Sequence, residues 1–180
     1  GRPVPAYVVG YDYETGLGLV RPTGRLDSGR LPIGRSADLA VGEPVIAAGH
    51  GGRTQAVQAA VVARREFAGY WEYVLDEAIF TSPAHPNWGG AALLGADGRL
   101  YGVGSLLVQN AEETDGTDSA NMFVPIDLLA PIVGDLCRYG MRRGPARPWL
   151  GLFVQEINGC LAVSGMYANG PAAQAGLEPG

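Results

Sequence analysis

The apolar positions of this chain fall into short runs separated by polar, glycine-bearing stretches, the pattern of strands joined by turns. Residues 6–9 (AYVV) and 17–20 (LGLV) flank the stretch GYDYETG, so they read as a strand pair around a turn. EPVIAAG, residues 43–49, is an apolar strand closed by glycine, and QAVQAAVVARREF, residues 55–67, alternates for long enough to predict one extended strand. GYWEYVLDEAIFT, residues 69–81, places Trp71, Tyr73 and Leu75 on one face at period two. Over residues 91–107 a strand, a turn and a second strand follow, with Asp97-Gly98 as the hairpin signal.

The period changes once. NAEETDGTDSAN, residues 110–121, is polar and acidic and reads as a surface loop, its acidic part running from Glu112 to Asp118; MFVPI then returns as a strand. In IDLLAPIVGDLCRYG, residues 126–140, Leu128, Leu129, Ile132, Val133, Leu136 and Cys137 keep a helical spacing. The spacing predicts one helix, capped by Asp127 and ended by Gly140. MRRGPARP (141–148) is a Pro/Gly/Arg linker, after which LGLFVQEI and LAVSGMY read as strands and NGPAAQAGL as a turn and a short helix. The expected organisation is a mostly β domain over 1–143 and a second β unit over 144–180.

Composition narrows the partners. At 47% hydrophobic and 17% charged residues the chain can bury a packed core. With net charge −5 and arginines clustered only at Arg142, Arg143 and Arg147, no nucleic-acid partner is expected. No run is long and apolar enough to span a membrane as a helix, and the opening GRPVPAYVVG has no signal-peptide pattern. Two cysteines, Cys137 and Cys160, lie in different segments and read as buried or half-buried thiols rather than a disulfide scaffold. No Cys/His spacing reads as a zinc site, and no cofactor is expected.

The order of segments is similar to that of the HtrA-type serine proteases, a trypsin-like double barrel followed by a PDZ domain. GRPVPAYVVGYDYETGLGLV is similar to the family's strand pair around its catalytic aspartate. LPIGRSADLAVGEPVIAAGHGG resembles the family run ending in a GNP loop. IFTSPAHPNWGGAALLGADGRLYGV resembles the segment that carries the catalytic serine between TDAAINPGN and GGP. NMFVPIDLLAPIVGDLCRYG resembles the strand and helix that end the protease domain, and PWLGLFVQEI with LAVSGMYANGPAAQAGLEPG resembles the front half of an HtrA-type PDZ domain. The resemblance implies a pair of six-stranded antiparallel barrels seen from partway through the first, one C-terminal helix, and a partial PDZ domain. It also implies an excerpt of a longer protein, with the triad histidine before Gly1 and the rest of the PDZ domain after Gly180.

Carried over residue by residue, the resemblance implies a degenerate site. The family's aspartate falls on Gly16, which has no side chain to orient a histidine. Its serine falls on Trp88, whose indole only donates. The loop between Thr81 and the Gly89-Gly90 pair is two residues shorter than the family's, so the backbone donors to an oxyanion are expected out of register, and Trp88 is expected to fill the cleft. Asp12 and Glu14 read as solvated turn carboxylates, and Ser82 and Ser105 as capping or strand hydroxyls rather than replacement nucleophiles. His50 and His85 fall on two loops that rim the cleft in the family fold, where they read as loop histidines or as a weak transition-metal pair.

PWLGLF matches the family's carboxylate-binding loop, which implies peptide binding at Trp149, Leu150, Gly151 and Leu152; the plain reading of these residues is the start of a strand. Three functional readings follow. The first is an inactive HtrA-like homologue that binds extended peptides or unfolded segments, or scaffolds other proteins, as part of protein quality control, with assembly as a homo-oligomer left open. The others are an active serine endopeptidase with a displaced triad, and a metal-binding protein using His50 and His85. The family's habit implies a bacterial periplasm or cell envelope, with the cytoplasm left open.

Overall fold

A computed structural model describes residues 3–69, 73–108, 119–145 and 147–180. The chain divides into two compact units, Gly1–Arg143 and Gly144–Gly180. The first unit opens with β1 (Ala6–Tyr11) and β2 (Gly18–Pro22), an antiparallel pair with a register shift between Val8 and Gly10. Six strands follow: β3 (Pro44–Ala48), β4 (Ala56–Ala68), β5 (Val74–Ser82), β6 (Ala92–Gly95), β7 (Leu100–Val108) and β8 (Ala120–Pro125). They close into an antiparallel barrel in the order β3-β4-β5-β8-β7-β6. Closure leaves these six strands without an open edge.

Alternation along the strands sorts the apolar side chains into two cores. One holds Leu39, Val45, Ala47, Ala59, Val61, Ile79, Ala91, Leu93 and Phe123. The other holds Leu17, Leu75, Ala78, Phe80, Ala120, Met122, Val124, Ile132 and Leu136. Ile79 and Phe123 therefore face one core while their neighbours Ala78, Phe80, Met122 and Val124 face the other. This is why β8 is buried at every position and shows no polar face. The second core places the β1–β2 turn and the C-terminal helix against the barrel wall through Leu17, Ile132 and Leu136.

Several expectations need correction. The predicted helix over 126–140 is in two pieces: a 3-10 turn over Ile126–Leu128, then α1 (Val133–Tyr139), which ends at Gly140. Pro131 explains the break. It has no N–H to give the carbonyl four residues back, and in a continuous helix its ring would clash with that carbonyl. Asp127 caps no helix. Its carboxylate accepts the Ala37 N–H at 3.0 Å, its own N–H donates to Ser36 Oγ, and that hydroxyl donates to the Tyr101 carbonyl at 2.7 Å. Ala120 and Asn121, expected in the acidic loop, belong to β8; the loop's acidic part, Glu112–Asp118, lies outside the described residues. Trp71 does too, whereas Leu75 is buried in the second core as its face predicts. Cys137 and Cys160 are exposed and free rather than buried.

The hairpin at Asp97-Gly98 joins β6 to β7. Asp97 accepts the Arg99 N–H at 3.0 Å and the Tyr101 hydroxyl at 3.0 Å. These contacts, the backbone one first, hold the Asp97 carboxyl below its ordinary value, and the carboxylate raises the Tyr101 phenol.

The second unit is an antiparallel hairpin of β9 (Leu152–Ile157) and β10 (Cys160–Met166), followed by a single helical turn, α2 (Pro171–Gln174).

Candidate functional site

The loop between β5 and β6 is held in place by His85. Its side chain is fully buried, its N–H donates to Asn121 Oδ1, and its carbonyl accepts Asn121 Nδ2 at 3.3 Å. Its Nδ1 accepts the Asn87 N–H at 2.9 Å, so the ring proton sits on Nε2, which donates to the Gln55 carbonyl. Both ring nitrogens are thus engaged with backbone groups, and His85 has no lone pair left for a metal ion or a serine proton. His50 is exposed on its own turn. Among the described residues no group of three or more His, Cys, Asp or Glu side chains is placed to hold a metal.

The turn that follows is stitched to β7. The Trp88 carbonyl accepts the Ala91 N–H at 3.0 Å, Gly90 (φ +75°) donates its N–H to the Gly104 carbonyl at 2.8 Å, and Gly104 donates to the Ala91 carbonyl at 2.7 Å. The Trp88 carbonyl passes directly against the Gly104 backbone, an approach that any side chain at 104 would block. The Gly90 N–H is therefore engaged by protein. The Trp88 indole, expected from the resemblance at the family's serine position, is half-buried and belongs to neither core.

Gly16, expected from the resemblance at the family's aspartate position, sits at φ +73° in the β1–β2 turn, its N–H bonded to the Asp12 carbonyl at 2.8 Å. The ring of Tyr73 lies over it. A Cβ on residue 16 would stand 2.9 Å from Tyr73 Cδ1 and 3.0 Å from Cζ, and nearer still to Cε1. The Tyr73 hydroxyl is hydrogen-bonded to Ser105 Oγ, so that serine faces a phenol and not an imidazole. Ser82 ends β5, half-buried.

Asp12 is not the solvated turn carboxylate that its polar setting suggests. It is 2% exposed, and its Oδ2 accepts the Thr15 N–H at 3.1 Å, the Thr15 hydroxyl at 2.6 Å and an Arg142 N–H at 2.9 Å. The other guanidinium nitrogen of Arg142 donates to Glu14 at 2.7 Å, so Glu14 is part of the same clamp. Asp12 is thereby committed to its turn and to Arg142, and neither histidine reaches it through any of these bonds. Among the described residues no serine, histidine and carboxylate stand in a relay.

In the second unit, Trp149–Leu152 lead into β9. Gly151 lies at φ +71°; the Leu150 carbonyl accepts the Ala172 N–H and the Gly151 carbonyl the Tyr167 N–H, each at 2.9 Å. The Trp149 ring is 5.1 Å from Tyr167, which in turn is 5.2 Å from Phe153. Trp149 and Leu150 are 60% and 61% exposed. Among the described residues β9 pairs only with β10, which leaves its other edge open.

Nothing in the sequence marks Tyr73 or Arg142 as a site residue. Tyr73 reads as one member of an apolar face and Arg142 as part of a linker; the spacing of 57 between Gly16 and Tyr73 carries no signal that they touch.

Comparison with known proteins supports the architecture. The chain is 28% identical over 194 residues to the serine protease PepD of Mycobacterium tuberculosis, covering 100% of this chain and 41% of that protein. It is 29% identical over 188 residues to the chloroplastic protease Do-like 1 of Arabidopsis thaliana, covering 96% and 41%. It is 26% identical over 200 residues to a probable periplasmic serine endoprotease, DegP-like, of Hahella chejuensis, covering 99% and 39%. The chain thus spans about two fifths of the length of these curated relatives. The solved HtrA-type protease AlgW with a decapeptide superposes with a TM-score of 0.65 at 23% identity, over 99% of this chain and 57% of that one. The model of the trypsin-like peptidase domain matches residues 1–103, more than half of the sequence, so the chain belongs to the trypsin-like peptidase domain family, with HtrA-type proteases among its relatives.

Proposed function

We propose that this chain is a proteolytically inactive HtrA-like homologue that holds extended peptides. One observation carries the reading: the positions aligned with the nucleophile and its supporting acid are Trp88 and Gly16, and the space over Gly16 is filled by a phenol bonded to Ser105. Serine acylation needs a hydroxyl, a base to take its proton, and backbone N–H groups free to meet an oxyanion. The geometry around residues 16, 88 and 105 supplies none of these as a set. On this reading residues 1–143 are a protease-fold scaffold and residues 144–180 are a linker and the start of a PDZ domain.

Peptide binding then rests on Trp149, Leu150, Gly151 and Leu152 and on the open edge of β9. Carbonyls 150 and 151 are engaged by Ala172 and Tyr167, while β9 offers an unpaired edge for an added strand. AlgW structures contain a decapeptide and a tripeptide, which is a property of those proteins and a guide to ligand length here. The DegP-like relatives, named probable periplasmic serine endoproteases, suggest a cell-envelope location; among the described residues no helix is long and apolar enough to cross a membrane.

The test is a titration of the protein with a short apolar peptide bearing a free C-terminal carboxylate, followed by calorimetry, against the same peptide amidated. Hydrogen bonds to a charged group are worth about 1.5–3 kcal/mol, so amidation is expected to weaken binding roughly 10- to 100-fold. Equal binding of the two peptides would remove the carboxylate loop from the proposal, and binding of neither would remove the peptide function of this segment.

A further inference from the structure

We infer that Tyr73 is the side chain that closes the acid position of this fold, and that Gly16 and Tyr73 form one steric unit, a built-in lock on the catalytic cleft. The inference deepens the inactive reading and rests on the alignment of Gly16 with the family's aspartate. Two contacts support it. The Tyr73 ring stands where the first carbon of any side chain at 16 would have to be, with Cδ1 at 2.9 Å and Cζ at 3.0 Å from that point. The same side chain is fastened at its far end by the Ser105 hydroxyl on β7 and packs against the core that contains Leu75 and Phe80, with the Phe67 ring 6.4 Å away. It is anchored on both sides and cannot swing aside as a free surface rotamer would.

The consequence is that replacing Gly16 with aspartate does not by itself reinstate an acid. The carboxylate would first have to displace an aromatic ring that is tied to a second strand. Loss of the acid is therefore held by two elements far apart in sequence, the β1–β2 turn and the residue that precedes β5.

The molecule contains the control that the test needs. Gly98 has the same backbone angle as Gly16, φ +73°, with nothing within 4 Å of a Cβ placed there. Gly98→Ala therefore reports backbone strain alone, whereas Gly16→Ala reports that strain plus the Tyr73 collision. In thermal unfolding of the whole chain, Gly16→Ala is expected to lower Tm by roughly 5 °C more than Gly98→Ala. The excess is expected to persist in a Tyr73→Phe background, which keeps the ring and removes the hydroxyl. It is expected to vanish in Tyr73→Ala, with Tyr73→Val as the second truncation where alanine does not fold. An excess absent in wild type, or undiminished after either truncation, overturns the inference. Fluorophosphonate labelling of the wild-type protein would instead overturn the inactive reading while leaving this cycle intact, so the two failures are distinguishable.

Discussion

Incubated with unfolded casein, the purified chain is expected to release no fragments, and a fluorophosphonate probe is expected to label no serine. The physical reason is cumulative. Loss of the nucleophile or its base from a serine protease costs about 10⁶-fold in turnover, and each missing oxyanion donor about 2.7–4 kcal/mol more where the remaining machinery is intact. Here residue 88 is an indole, residue 86, two before it, is a proline with no N–H to offer an oxyanion, and His85 has both ring nitrogens on backbone groups. Trp88→Ser is therefore expected to stay as silent as wild type, because any histidine brought beside the new hydroxyl would find no supporting acid at 16. Stoichiometric labelling of any serine in wild type, or measurable turnover by Trp88→Ser, would sink the inactive reading and the alignment beneath it.

Asp12→Ala is expected to produce a large loss of stability, about 2–4 kcal/mol, or roughly 5–15 °C in Tm. The substitution removes an acceptor that serves the Thr15 N–H, the Thr15 hydroxyl and Arg142 at once, and leaves the turn donors without a partner in a site that water barely reaches. Breaking a fully buried ion pair costs about 3–5 kcal/mol. The figure here is lower because the Arg142 side chain is 32% exposed and keeps Glu14. Arg142 also follows α1, whose C-terminal Gly140 carbonyl accepts the Tyr11 N–H at 3.0 Å, so the clamp fastens the end of the first unit to its opening hairpin. Glu14→Ala, in a more exposed pair, is expected to cost no more than about 1 kcal/mol. A wild-type melting curve for Asp12→Ala would show that the turn holds without its carboxylate.

Most strands are legible in the chain because their signals are local. Alternation over residues 55–67 places β4, the apolar runs place β3 and β7, and Asp97-Gly98 places the hairpin between β6 and β7. The helix is only half legible. Its spacing is correct, but Pro131 interrupts the backbone bonds that spacing alone takes for granted, and Asp127 is drawn to Ala37, ninety residues away. Asp12 reads as a solvent-facing turn residue because its partner Arg142 lies 130 positions on.

The sequence by itself determined the succession of the strands and the family they resemble, and from that resemblance comes the expectation that Trp88 and Gly16 fall on the positions of a nucleophile and its acid. Those are properties of residue type and order along the chain. Only the tertiary structure decided that Tyr73 fills the space over Gly16, that His85 is turned into the loop rather than toward a ligand, and that Asp12 is buried under Arg142. Each of these depends on which distant segments the barrel brings into contact, and barrel closure pairs strands without regard to their distance in sequence.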